Sequence, residues 1–172
     1  MYQGLVLHII RFISLLLVQG LIINDLPLGK NVYPMIYILF LLMLPIDTPH
    51  WMMMLTAFVY GLLIDSYSST IGIHVSAAVF IAFIRPNILN ILTPREGYEI
   101  GTSPGIYSLG LQWFLSYAGI MIFLHHLWFF FVEVYNFNAI GDTLLRTFLS
   151  SLASLFGVVL IQYLFYRSSK KL

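Results

Sequence analysis

Residues 106–135 read IYSLGLQWFLSYAGIMIFLHHLWFFFVEVY, with Glu133 as the one formal charge. Such a run exceeds the roughly 20 apolar residues that a helix needs to cross about 30 Å of hydrocarbon, so it predicts a transmembrane span within Ile106–Tyr135. The rest of the chain has the same character. Of 172 residues, 60% are hydrophobic and 9% are charged, against roughly 45–50% and about 25% in ordinary soluble domains. With a mean hydropathy of +0.92, a water-soluble fold of this size would expose apolar patches far above the few hundred Å² that soluble monomers tolerate. Lipid removes that conflict. Six spans use roughly 120 residues and leave about 50 for both termini and five loops, so residues 1–172 are expected to form one transmembrane domain, an all-α polytopic bundle of about six helices.

Working outward, the first span is expected over about residues 9–25. Arg11 would cost about 3 kcal/mol or more at mid-bilayer, which places residues 1–8 at the interface and makes Arg11 a marker of one membrane face. The run ends in Ile23-Asn24-Asp25-Leu26-Pro27 without a small-x-small cleavage site, so the segment is read as retained. Span two, Tyr33–Leu44, and span three, Trp51–Ile64, are both short. Pro45-Ile46-Asp47-Thr48-Pro49-His50 between them forbids a continuous helix and reads as a tight turn. Span four runs from Ile71 to Ile84. Beyond Arg85-Pro86, the spacing of Ile88, Leu89, Ile91 and Leu92 suits a helix continuing along the interface. Thr93–Gly105 has turn and loop chemistry. Span six lies within Asp142–Phe165, after a connection over Asn136–Gly141.

The net charge is +1 with eight Lys and Arg, few and scattered, which argues against nucleic acid as a partner. The absence of cysteine excludes disulfides and thiolate metal sites. With six spans the termini share a side, and that side collects Arg11, Arg85, Arg95, Arg167, Lys170 and Lys171 against Lys30 and Arg146 opposite. Because Lys and Arg resist translocation, both termini are expected in the cytoplasm.

The densest polar cluster is Asp65-Ser66-Tyr67-Ser68-Ser69-Thr70, followed by Gly72, His74 and Ser76. Asp65 and its neighbours Ser66, Ser69, Gly72 and His74 suit a partner site; Asp65 also suits a cap on the N-terminus of span four, where helix dipole and free N–H groups favour a carboxylate. The two roles can coexist. His125 and His126 precede Glu133 by about two helical turns, so either imidazole can share a face with it. A metal or proton relay would use such groups, but the spacing is not the i, i+4 His pair of a helical zinc site, and interhelical hydrogen bonding or partner contact is the simpler reading. Asp142 and Arg146 read as a charge-paired helix end. Small residues at i, i+4 (Gly72 and Ser76, Ala78 and Ala82, Ser150 and Ser154, with Gly157) mark faces for close packing, internal or with another protein.

The common hydrolase and nucleotide motifs, HExxH, G-x-S-x-G and the P-loop, are absent. No enzyme activity, metal or cofactor is expected. Asp47, between two prolines, is the best candidate for a carrier's pocket at a broken span.

Several segments carry a resemblance: Leu44-Pro45-Ile46-Asp47-Thr48-Pro49, Gly61-Leu62-Leu63-Ile64-Asp65-Ser66, Gly72-Ile73-His74, Phe83-Ile84-Arg85-Pro86, Thr93-Pro94-Arg95-Glu96-Gly97-Tyr98-Glu99, and His125-His126 with Glu133. In this order they resemble the MreD family of rod shape-determining proteins, in a form similar to that of Bacteroidota. The resemblance implies a non-enzymatic component of the bacterial inner membrane, in the complex that elongates the cell wall. It implies binding to the single-span protein MreC, and through it a link between MreB filaments, the RodA glycosyltransferase and its penicillin-binding transpeptidase, and it leaves a homodimer open. It also implies similarity to the six-helix substrate-binding components of energy-coupling-factor transporters. Asp65, Ser66, Ser69, Gly72, His74, Asp47, Arg85, His125, His126 and Glu133 are the expected partner contacts, and membrane lipid is the surrounding partner.

Overall fold

The computed structural model describes residues 2–24, 26, 29–134 and 140–165, and among these every regular element is helical, with no strand. α1 spans Tyr2–Val18 and runs into a π-helical turn over Gln19–Ile23. The five-residue α2 is Ile38–Leu42, followed by α3 (His50–Ser68), α4 (Ile73–Ile91), the single turn α5 (Ile106–Leu109), α6 (Leu111–Val134) and α7 (Ile140–Phe165). α4, α6 and α7 are long and apolar enough to cross a membrane, and His8–Ile23 forms a shorter apolar stretch. This is a helical membrane protein.

The direction of each element follows from what it touches. The Phe12 ring lies 4.7 Å from that of Tyr60, and Gly20 sits against the Tyr67 ring, so α1 and α3 run parallel. α3 and α4 are antiparallel and very close. A Cβ on Gly61 would stand 2.6 Å from Cα of Val75, nearer than any real side chain comes, so only glycine permits this crossing. α6 runs against α4 and α7, and α7 returns to the end where α1 starts, where Ile10, Arg11 and Leu15 share a cavity of about 450 Å³ with Ile161 and Phe165.

The main departure from expectation is the second span. Residues 35–44 are all buried, several completely, yet only Ile38–Leu42 is helical. Tyr33 precedes a proline and Leu44 precedes Pro45, and both positions are biased away from helix. The result is a broken crossing, threaded through the middle of five long helices rather than packed beside them. A ten-residue apolar run shows no period that tells a helix from any other buried segment.

Other expectations also change. α1 begins at Tyr2 rather than near residue 9. α4 starts at Ile73 and continues as one helix through Pro86 to Ile91, a proline being tolerated inside a membrane helix where neighbours satisfy the freed carbonyl. Tyr135, the Asn136–Gly141 connection up to residue 139, Asp25 and the cations Arg167, Lys170 and Lys171 lie outside the described residues.

Candidate functional site

Irregular backbone is tolerated at membrane depth only where protein surrounds it and satisfies its N–H and C=O groups. The broken segment meets that demand through side chains from four helices. At its entry, Ser150 Oγ accepts the Tyr33 N–H at 2.9 Å and Ser154 Oγ accepts the Met35 N–H at 2.8 Å. Gln19 Oε1 accepts from Ile36 N at 2.8 Å and from Tyr37 N at 3.3 Å, while Gln19 Nε2 donates to the Pro34 carbonyl at 3.1 Å. These bonds satisfy backbone groups of the irregular stretch that leads into α2.

At the exit the carbonyls are free, and Arg85 takes them. Its guanidinium donates to the carbonyls of Leu44, Leu42 and Pro45, and its Nε donates to the Tyr117 hydroxyl at 2.7 Å, which itself donates to Leu42 O at 3.3 Å. Arg85 is 2% exposed. The rigid five-donor fork suits a cluster of carbonyls that one ammonium could not span. Gln162 completes this end, with Nε2 on Met43 Sδ at 2.9 Å.

The two histidines of α6 face the same segment. Tyr37 Oη pairs with His125 Nε2 at 2.7 Å. His126 Nδ1 donates to Ile122 O at 2.8 Å, so its Nε2 can accept from the Ser154 hydroxyl at 3.0 Å. Met35, Ser154 and His126 thereby form one chain of hydrogen bonds. Glu133 is not part of it: this residue is 37% exposed and lies 3.5 Å from Arg146, whose guanidinium also stacks over Tyr33 and Phe130. That carboxylate, rather than Asp142, is the one within ion-pair distance of Arg146 among the described residues.

At the end of the bundle opposite the start of α1, Asp65 closes α3 and caps α4. Its carboxylate accepts from the Thr70 hydroxyl at 2.5 Å, His74 N at 3.1 Å, Val75 N at 3.0 Å and His74 Nδ1 at 3.0 Å. The cap reaches across a turn held by two left-handed residues, Ser69 at φ 54° and Gly72 at φ 78°. Asp65 and His74 are buried, whereas Ser66, Ser69 and Gly72 face outward. A cleft of about 730 Å³ opens beside this cap, with His74, Thr70, Tyr67, Phe129, Lys30 and Glu133 in its wall. At the other end Asp47 is exposed on the rim of a pocket of about 250 Å³ that has Arg85 in its wall.

The sequence-predicted residues thus fall into separate groups. Asp65 and His74 meet; Arg85 and the histidine pair hold different parts of one segment; Glu133 stands apart. Sequence reading missed Gln19, Tyr37, Tyr117 and Gln162. The signal was present for the two glutamines, since an amide inside an apolar run needs a hydrogen-bond partner when lipid is the solvent. Among the described residues no group of three His, Asp or Glu is placed to hold a metal ion.

No curated protein and no solved structure matches the chain. A family model, that of the rod shape-determining protein MreD, matches residues 1–96, which include Gln19, the broken segment, the Asp65 cap and Arg85 and stop short of α6 and α7. The chain belongs to the MreD family of rod shape-determining proteins.

Proposed function

We propose that this chain is a non-catalytic scaffold of the bacterial inner membrane that binds MreC and helps link MreB filaments to RodA and its penicillin-binding transpeptidase during cell-wall elongation. The observation that carries the reading is the family match over the half of the chain holding the broken segment. The geometry supports a scaffold role: Asp65, His74, Arg85, His125 and His126 are engaged in fixing the bundle, a use of ionisable groups that stiffens a fold. Ser66, Ser69, Gly72, Asp47 and Glu133 remain at the surface for partner contact. Six traversals, five helical and one broken, correspond in this reading to the six-helix plan of energy-coupling-factor binding components, and Arg11, Arg85 and Arg95 towards the end where α1 starts, against Lys30 and Arg146 towards the other, favour cytoplasmic termini. Co-purification with MreC in detergent tests the proposal. MreC is retained by the unaltered chain and reduced by Asp65→Ala; retention that survives replacement of every exposed polar residue contradicts it.

The cleft of about 730 Å³ favours a second reading, a membrane carrier or binding component for a vitamin-like small molecule, because its volume lies in the range of ligand sites. α1 lacks the Ala-xxx-Ala docking pattern of that class. Thermal stabilisation of the purified chain by such a molecule would place this reading first.

A further inference from the structure

None of the side chains that hold the broken segment lines the cavity of about 450 Å³ between α1 and α7. Phe12 packs α1 against α2 and α3, its ring 5.1 Å from that of Phe40 and 4.7 Å from that of Tyr60. Ile10 and Ser14 stand two positions either side of Phe12, about 160° round the helix, and so face away from that contact and onto the cavity. Ile10 and Phe165 in its wall are 57% and 77% exposed, so the cavity is a groove open to the outer surface of the bundle, where lipid is the solvent. Its lining changes with depth. The apolar stretch of the first helix starts at His8, and Arg11 follows about one turn further in. Leu15 and Val18 lead deeper, with Ile161 and Phe165 of α7 opposite, and no acidic residue lines the groove among the described residues. Ser14 Oγ donates its hydrogen to the Arg11 carbonyl at 3.2 Å, which leaves the guanidinium as the strong donor of the site.

We propose that this groove is a binding site for one anionic phospholipid, its phosphate on the Arg11 guanidinium and an acyl chain along Leu15, Val18 and Ile161. A cation at the shallow end of an apolar slot between membrane helices has the order of charge and hydrocarbon that such a lipid presents, and the planar guanidinium suits a phosphate. In sequence, Phe165 is followed by Tyr166-Arg167-Ser168-Ser169-Lys170-Lys171, which adds three cations directly after the helix that forms one wall. Lipid is favoured over a partner helix because a phosphate stands at headgroup depth in every bilayer, whereas a helix would have to carry a carboxylate into the membrane to meet Arg11.

The test reconstitutes the full chain in vesicles of equal parts phosphatidylglycerol and phosphatidylcholine. A photo-crosslinking amino acid takes the place of Phe165 in the groove or of Phe156, which is 72% exposed on the same helix outside it. Adducts at position 165 should be enriched about fivefold in phosphatidylglycerol, the factor that one cation beside an anionic surface contributes, and those at position 156 should follow the bulk composition. Arg11→Gln should remove most of the enrichment and Arg11→Lys should keep part of it. Ser14→Trp, which fills the groove, should lower the yield of lipid adducts at position 165. The proposal is overturned if both positions report the bulk ratio, if the enrichment survives Arg11→Gln unchanged, or if position 165 cross-links to polypeptide in place of lipid. Where Arg11→Gln does not fold, the comparison of positions 165 and 156 in the otherwise unaltered chain decides between these outcomes.

Discussion

The side-chain oxygen of Gln19 lies 2.8 Å from the backbone nitrogen of Ile36, joining the last turn of the first helix to the start of a buried, non-helical crossing. The amide also holds Tyr37 N and Pro34 O, so one side chain serves three backbone groups. Gln19→Leu keeps the volume and removes all three bonds. A loss of roughly 1–3 kcal/mol is expected for each buried group left unpaired, read as a lower midpoint in denaturant titration of the detergent-solubilised chain. An unchanged midpoint would mean that the segment does not depend on this anchor.

Arg85→Lys should not rescue the other end of the segment. The ammonium cannot reach Leu42, Leu44, Pro45 and Tyr117 together as the guanidinium does. Hydrogen bonds to a charged donor are worth about 1.5–3 kcal/mol each, so a loss of at least about 1.5 kcal/mol is expected in the same titration. Full stability with lysine would argue that the fork geometry is immaterial.

Two glycines in helices should respond in opposite directions. Gly61→Ala drives a methyl group into the α4 backbone at Val75 and should cost about 1–3 kcal/mol, the usual range for overpacking. Gly119→Ala meets nothing within 4 Å and should be neutral or stabilising by up to about 1 kcal/mol. Thermal unfolding of the two variants side by side makes the comparison.

Asp65→Ala removes the acceptor for four donors and should destabilise by more than the roughly 0.5–2 kcal/mol of an ordinary lost cap. Asp65→Asn keeps one oxygen and should fall between alanine and the native residue. Amide hydrogen exchange at His74 and Val75 reports it directly: faster exchange in the alanine variant is expected, and equal protection would remove Asp65 from the cap.

Composition and the long apolar runs made the membrane setting and the three longest spans readable, and Asp65 followed by a hydroxyl-rich turn made the cap of α4 readable. The broken crossing was not. Met35–Leu44 is apolar without interruption and buried throughout, and that same property hides how little of it is helical. The polar residues holding it are scattered over four helices, so their convergence is tertiary: Ser150 and Ser154 read as small packing positions, and Gln19 and Gln162 gave no reading of their own. The grouping of His125 and His126 with Glu133 followed helical spacing along one element, whereas Tyr37, Ser154 and Arg146 from elsewhere in the chain decided the actual pairings.

The central claim, that residues 33–44 pass through the middle of the bundle against α7, is tested most directly by disulfide trapping, since the chain has no cysteine of its own. A Cβ at position 157 would lie 3.0 Å from Cγ2 of Ile36, so the two positions are in direct side-chain contact. In membranes under mild oxidation, Ile36→Cys with Gly157→Cys should form an intramolecular disulfide, and Ile36→Cys with Leu152→Cys, on the outer face of α7, should not. Trapping of the second pair without the first would contradict the account.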